Sequence, residues 1–158
     1  MNKKNKLVYI LVIIILVFIW SNSLDSPQES YSKSSAVGEW AMKLLSKFFE
    51  HDDPFFIFFR TNVRKIAHFI EYLFLGTAVT AISIIHKKIK LQHLYNILSL
   101  SVIVAVIDEF IQMYTMRGSS VRDVIIDCSG YFTGVTIVLA ISCIKNVIRK
   151  KRTTDEFY

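Results

Sequence analysis

The stretch that decides the fold is Arg64-Lys65-Ile66-Ala67-His68-Phe69-Ile70-Glu71-Tyr72. It opens an apolar run that continues to Ile85, which is long enough to cross a bilayer as a helix. Ionisable side chains inside such a run are costly, and they usually belong to a pathway, a site or a buried ion pair. The charges of this stretch therefore need a structural or functional reason.

Two later apolar runs are built in the same way. One ends in Asp108-Glu109-Phe110-Ile111-Gln112, and the next opens with Arg122-Asp123-Val124-Ile125-Ile126-Asp127. The chain also begins with an apolar run from Leu7 to Trp20, which carries no charge. Four segments are thus candidates for membrane spans.

Composition agrees with a membrane protein. Of the 158 residues, 53% are hydrophobic, and only 2 Pro and 5 Gly interrupt helices. We predict an all-α, polytopic membrane protein with four transmembrane helices plus an amphipathic extracytoplasmic helix. The predicted spans are residues 7–24, 66–85, 94–113 and 124–144.

The first span has an alternative interpretation. A basic start, an apolar middle and Ser21-Asn22-Ser23 as a small-residue cleavage site are also typical of a signal peptide. We favour an uncleaved helix, because the run is long for a signal core and the later spans offer it a packing surface.

Residues 25–65 form a connector with six acidic and six basic residues. Apolar side chains recur there at helical spacing, at Val37, Trp40, Ala41, Leu44, Leu45 and Phe48. An amphipathic helix is therefore predicted, lying either on the membrane or on the helix bundle. Asp53 and Pro54 are a suitable N-cap and first residue for a second short helix.

The basic residues give an orientation. Lys and Arg cluster in residues 1–6, in the turn 86–93 and in the tail 145–158, with eleven of the 19 in these three segments. The positive-inside rule places these clusters and both termini in the cytoplasm. The connector and the loop 114–123 are then outside. Basic clusters that flank membrane spans can contact anionic lipid head groups. We therefore predict a cell-membrane protein that contacts membrane lipid and has no nucleic-acid partner.

This topology brings the intramembrane charges to one depth near the outer face. Arg64, His68 and Glu71 share one helical face, and so do Asp123 and Asp127. Gly130 and Gly134 continue that second face as a small-xxx-small motif, which favours close helix packing. The predicted polar pocket comprises Arg64, His68, Glu71, Tyr72, Asp108, Glu109, Gln112, Arg117, Arg122, Asp123 and Asp127.

Several uses of this pocket stay open. It is either a network of buried ion pairs that locks three helices together, or a functional site. Acid–base chemistry by Glu71 or Asp127 beside His68 is one functional form. We predict no metal or other cofactor; the alternative metal ligands are His68, Glu71 and a facing Asp108 or Glu109. No catalytic residue is assigned, and oligomeric state is left open.

The motifs resemble the VanZ-like family. The matching stretches are Arg64-Lys65-x-x-His68-x-x-Glu71-Tyr72-x-x-Leu75-Gly76, Asp108-Glu109-x-x-Gln112, and Arg117-Gly118-Ser119-x-x-Arg122-Asp123-x-x-x-Asp127-x-x-Gly130-x-x-x-Gly134. Ser21 resembles a serine of the family, and Met116 stands where the family often has proline. The resemblance implies a single domain over roughly 7–144 in a Gram-positive cell envelope, with an association to resistance against the lipoglycopeptide teicoplanin.

The leading functional expectation is an outer-leaflet pocket that acts on a lipid-linked cell-wall precursor or an acylated glycopeptide. Arg64, Arg117 and Arg122 would bind an anionic head group, since guanidinium suits phosphate geometry. The acidic residues and His68 would orient or protonate that ligand. The alternatives are an intramembrane, metal-assisted enzyme on a lipid and a non-catalytic interaction module that docks a partner through its connector.

Overall fold

The structure is a computed structural model that describes residues 3–50, 52–86 and 91–155. These residues form five helices, α1 (Lys3–Ser23), α2 (Pro27–Leu45), α3 (Pro54–Ile85), α4 (Leu91–Tyr114) and α5 (Val121–Asp155), and within them there is no strand. The predicted all-α fold class is confirmed. Of the predicted basic segments, Lys87, Lys88, Lys90 and residues 1–2 and 156–158 lie outside the described residues.

Four helices are long and apolar enough to span a membrane, namely α1, α3, α4 and α5. Much of their apolar surface is exposed, as the outward side chains Ile13, Val17 and Phe18 of α1 show. Exposed aliphatic side chains on a membrane-length helix are satisfied by lipid tails. The chain is therefore a multi-pass membrane protein.

Helix α2 is the amphipathic helix of the connector. Its N-terminus is a capping box, in which the Ser26 backbone N–H donates to Glu29 Oε2 at 2.9 Å. That hydrogen bond holds the pKa of the Glu29 carboxyl below its ordinary value. The helix lies on α3 through Gly38 and leaves Val37 and Trp40 exposed, Trp40 by 66%. Contact with the bundle at this point thus uses the small residue, and Val37 and Trp40 face outward.

Helix α3 joins the predicted short helix and the second predicted span into one element. Asp53 caps it by accepting a hydrogen bond from Phe55 N at 2.7 Å, and Pro54 is its first residue. Asn62 interrupts it with φ −119° and ψ 15°. The Asn62 side chain donates to the Phe58 carbonyl at 2.9 Å, a local bond that competes with regular helix geometry. The kink lies immediately before Arg64.

Helices α3 and α5 form the closest pair in the bundle. A Cβ added to Gly76, Gly130 or Gly134 would overlap a backbone carbonyl of the facing helix, that of Tyr131, Phe69 or Leu73 respectively. We call these three glycines the glycine seam. Because the backbones touch there, the seam fixes the register of α3 against α5.

The buried apolar core surrounds this seam and also holds α1 and α4. Its members are Ile19, Tyr72, Leu75, Ile97, Val104, Ala105, Tyr131 and Val135. Every one of the four long helices contributes to it. Their ends are thereby aligned, so the C-terminal ends of α1 and α4 meet the N-terminal part of α5 and the kinked part of α3.

Candidate functional site

Polar side chains from three helices, α3, α4 and α5, converge at this common end of the bundle. We call the set the polar layer; it consists of Arg64, His68, Glu71, Asp108, Glu109, Gln112 and Asp127. The apolar halves beyond it, residues 73–85, 91–107 and 128–144, contain no acidic residue. The helical spacing that predicted a shared depth for these groups corresponds to a real convergence in space.

At the centre of the layer one imidazole faces two carboxylates. His68 Nδ1 lies 3.8 Å from Asp108 Oδ2 and 3.8 Å from Asp127 Oδ1. The two aspartates are 0% and 1% exposed. Neither oxygen of Asp127 has a hydrogen-bond partner in the described part of the chain, nor does His68 Nδ1. The three side chains come from α3, α4 and α5, so each of these helices contributes one of the three groups.

Asp108 is held in place by a chain of hydrogen bonds. The Ser23 hydroxyl at the end of α1 donates to Asp108 Oδ1. Gln112 Nε2 donates to Asp108 Oδ2 at 3.0 Å, and Arg64 donates to Gln112 Oε1 at 2.9 Å. The guanidinium therefore acts on the carboxylate through the amide, which also fixes the amide orientation.

Glu71 lies beside the centre and not in it. Asn22 of α1 donates from Nδ2 to Glu71 Oε1 at 3.0 Å, while Glu71 Oε2 is buried without a partner among the described residues. Glu109 faces the other way, since its Oε2 accepts the Ser120 backbone N–H at 2.8 Å. Glu71 thus ties α3 to α1, and Glu109 ties α4 to the start of α5.

The turn after α4 places Arg117. The Arg117 N–H bonds the Gln112 carbonyl at 3.1 Å and the Met116 N–H bonds that of Met113 at 3.2 Å, which together form a Schellman motif. Met116 takes the left-handed position of the motif with φ 56°, which a proline ring cannot adopt. The Arg117 guanidinium donates to the Asn22 carbonyl. Burial lowers the pKa of Arg117, and the neighbouring charge of Arg64 lowers it further.

The three remaining residues of the predicted pocket lie in different surroundings. Asp123 is half-buried and lines the cavity described below. Tyr72 is fully buried in the core, and its hydroxyl has no partner within the described residues. Arg122 is exposed and outside the cavity. One residue turns a helix by about 100°, so Arg122 points away when Asp123 and Asp127 face inward.

A cavity of about 250 Å³ opens beside the central imidazole. It is lined by Thr61, Asn62, Arg64, Lys65, His68, Glu109, Gln112, Asp123, Ile126 and Asp127. A larger groove of about 670 Å³ runs between α2 and α3 and includes Tyr31, Met42, Phe56 and Arg60. The two share Thr61 and Arg64 as a common wall. A polar recess and a mixed, partly apolar groove are therefore neighbours.

Two α1 residues in the site were not predicted from the sequence. Asn22 and Ser23 contact Glu71 and Asp108, whereas Ser21, the serine noted in the sequence, is exposed and donates to its own helix at Phe18 O. The only sequence signal for them was a cluster of polar residues at the end of an apolar run. Which of the residues Ser21, Asn22 and Ser23 face the site depends on the rotation of α1 about its axis. Packing against the other helices sets that rotation.

The arrangement suits cation binding or proton transfer. An imidazole and two carboxylates offer nitrogen and oxygen donors of the kind that divalent metals use. His68, Asp108 and Asp127 each place one such atom within 4.8 Å of the others. Asp127 thus takes the place for which Glu71 was considered, and Asp108 rather than Glu109 is the facing carboxylate.

Comparison with known proteins gives one positive result. A family model described as VanZ/LLP1 matches residues 7–143, which includes α3 and α4 in full, most of α1 and α5, and the whole polar layer. No curated protein and no solved structure matches the chain.

Proposed function

The chain belongs to the VanZ/LLP1 family, and from that membership and the polar layer we propose that it binds a lipid-anchored ligand at the outer face of the cell membrane. The ligand class is a lipid-linked cell-wall precursor or an acylated glycopeptide. Through this binding the protein contributes to resistance against glycopeptides such as teicoplanin in a Gram-positive envelope.

One observation carries this proposal: the polar cavity and the larger groove share a wall at Thr61 and Arg64. A ligand with a charged head and an apolar tail needs two such adjoining compartments. The groove offers Tyr31, Met42 and Phe56 for the apolar part. A soluble polar substrate would need only the smaller cavity.

The charge of the shared wall favours an anionic head group. Arg64 lines both compartments, Arg60 lines the groove and Lys65 lines the cavity. Guanidinium groups bind phosphate in a bidentate manner. Arg117 and Arg122 line neither compartment, so Arg64 takes the role that the sequence had divided among three arginines.

The basic residues support an outward-facing layer. Lys6 and Lys145 lie towards the opposite end of the bundle from the polar layer, as do the clusters to which they belong. The positive-inside rule assigns that end to the cytoplasm. The cavity then opens on the leaflet where cell-wall precursors and glycopeptides are found.

The test is expression of wild type and Arg64→Gln in a susceptible Gram-positive host, with Arg122→Gln, an exposed arginine outside the cavity, as the matched control. Growth is compared under teicoplanin and under a non-acylated glycopeptide. We expect wild type and Arg122→Gln to raise tolerance to teicoplanin more than to the non-acylated drug, and Arg64→Gln to lose the effect. Equal growth of wild type and empty vector under both drugs would overturn the proposal.

A further inference from the structure

We propose that His68, Asp108 and Asp127 bind one divalent metal cation of the Zn²⁺ or Mn²⁺ type within the polar layer. An imidazole nitrogen with two carboxylate oxygens is a mixed donor set that such ions accept, with water or a ligand in the remaining positions. The ligand set itself goes beyond the proposed function and does not depend on it.

The spacing of the donor atoms suits a bound ion. Two edges of the triangle that joins them measure 3.8 Å, and the third is no longer than 4.8 Å. The point equidistant from the three atoms of such a triangle lies at most about 2.5 Å from each, within a few tenths of an ångström of the Zn–N and Zn–O bond lengths of about 2.0–2.2 Å. Side-chain adjustments of a few tenths of an ångström complete the coordination.

Asp127 supplies an independent reason for a ligand at this point. Its carboxylate is 1% exposed, and both oxygens lack a hydrogen-bond partner among the described residues. The facing His68 Nδ1 lacks one as well. Buried carboxylates are paired, protonated or bound to a metal, because an isolated charge at this depth is too costly. A cation between Asp127 and His68 satisfies both side chains.

The surroundings of Asp108 resemble an outer coordination sphere. Ser23 donates to one of its oxygens, while Gln112 donates to the other and is itself held by Arg64. Groups that hydrogen-bond a ligating carboxylate fix its orientation and raise metal affinity. Asp108 is thus prepared in one rotamer before an ion arrives.

The charge balance of the layer points the same way. Its carboxylates and the adjoining Asp123 number five, namely Glu71, Asp108, Glu109, Asp123 and Asp127. Against them stand the half-buried Arg64 and Arg117, and the exposed Lys65 at the cavity wall. A dication offsets part of this surplus of acid. If the proposed function holds, the same ion also contacts the anionic head group; only this consequence rests on that function.

The test uses the full chain, purified in detergent without a polyhistidine tag and stripped of metal with a chelator. Zn²⁺ is titrated against wild type, His68→Ala, Asp127→Asn and Glu71→Gln, and bound metal is counted by mass spectrometry. We expect one equivalent in wild type and in Glu71→Gln. His68→Ala and Asp127→Asn should weaken binding by about 100-fold or more, since even outer-sphere changes cost about 10–100-fold.

A spectroscopic measurement on the wild type makes the test independent of whether the variants fold. Co²⁺ added to stripped wild type should give visible d–d absorption that Zn²⁺ displaces. Wild type without a saturable equivalent and without that absorption overturns the metal site, whatever the variants do. Loss of binding in Glu71→Gln equal to that in Asp127→Asn also overturns this ligand set. Teicoplanin tolerance scored beside these data separates the two proposals, because a metal-free wild type that still confers tolerance removes the cation alone.

Discussion

The glycine seam and the polar layer are two contact regions between the same helices, and they are built on opposite principles. In the seam, Gly76, Gly130 and Gly134 bring the backbones of α3 and α5 into contact, and the side-chain atom nearest to them is the uncharged Thr77 hydroxyl beside Gly134. In the layer, carboxylates and an imidazole are buried with several atoms unpartnered among the described residues. Close packing of small residues holds membrane helices together effectively. Buried charge is the expensive way to do so.

The glycine seam and the polar layer therefore have different roles in stability and in function. A bundle already joined by the seam does not need Asp127, whose oxygens make no hydrogen bond within the described chain. Incompletely satisfied buried polar groups are typical of sites that await a ligand or move a proton. We therefore assign stability mainly to the seam and function to the layer.

The largest effect is expected in the seam. Gly130→Ala places a Cβ on the Phe69 backbone carbonyl, so α3 and α5 must separate. We expect a loss of about 3 kcal/mol in the free energy of unfolding, at the upper end for overpacking, measured by thermal unfolding in detergent.

Gly38→Ala is the matched control, because its Cβ would meet only the Val63 side chain at 3.3 Å. It should cost well under 1 kcal/mol, since a side chain can yield where a backbone cannot. Equal losses in the two variants would remove the distinction between the seam and ordinary helix contacts.

An intermediate effect is expected where α1 meets the polar layer. Ser23→Ala removes the hydroxyl that donates to buried Asp108, and an unsatisfied buried acceptor costs about 1–3 kcal/mol. Ser21→Ala, in which only a bond to the Phe18 carbonyl of the same helix is lost, should be nearly neutral. Thermal unfolding of the two variants measures the difference in stability. A greater loss of stability in Ser21→Ala than in Ser23→Ala would show that α1 is rotated relative to this structure.

The smallest effect is expected in the turn that joins α4 to α5. Met116 has φ 56°, and a left-handed conformation costs a non-glycine residue about 1–2 kcal/mol. Met116→Gly should therefore stabilise the protein by about 1 kcal/mol, while Met116→Ala should leave the melting temperature nearly unchanged. A lower melting temperature for the glycine variant would contradict the Schellman geometry.

The sequence predicted the helices well and placed the charged residues at one end of the bundle, because both depend on local spacing. Apolar runs of sufficient length predicted four spans, and the i, i+4 and i+7 positions of Arg64, His68 and Glu71 predicted a shared face. Gly76, the α3 member of the glycine seam, was identified from the sequence only as a motif residue. Its contact with Tyr131 depends on the register of two helices, which one sequence does not display.

The details that the sequence did not predict all depend on helix rotation. Ser23 and not Ser21 faces Asp108, and Arg122 points outward. Ser21 and Ser23 are separated by about 200° around their helix, and Arg122 and Asp123 by about 100°. Such differences are decided by packing against three other helices, so spacing within one helix cannot resolve them.

The most direct measurement compares Asp127→Asn with Gly130→Ala in the same Gram-positive host, with membrane abundance and teicoplanin tolerance scored together. Asp127→Asn should reach at least about half of wild-type abundance, as expected of an isosteric change that breaks no hydrogen bond, and yet lose tolerance. Gly130→Ala should lose abundance, and its tolerance should fall only in proportion. If Asp127→Asn instead loses protein and tolerance in parallel, the polar layer is a structural ion-pair network and the division between seam and layer is wrong.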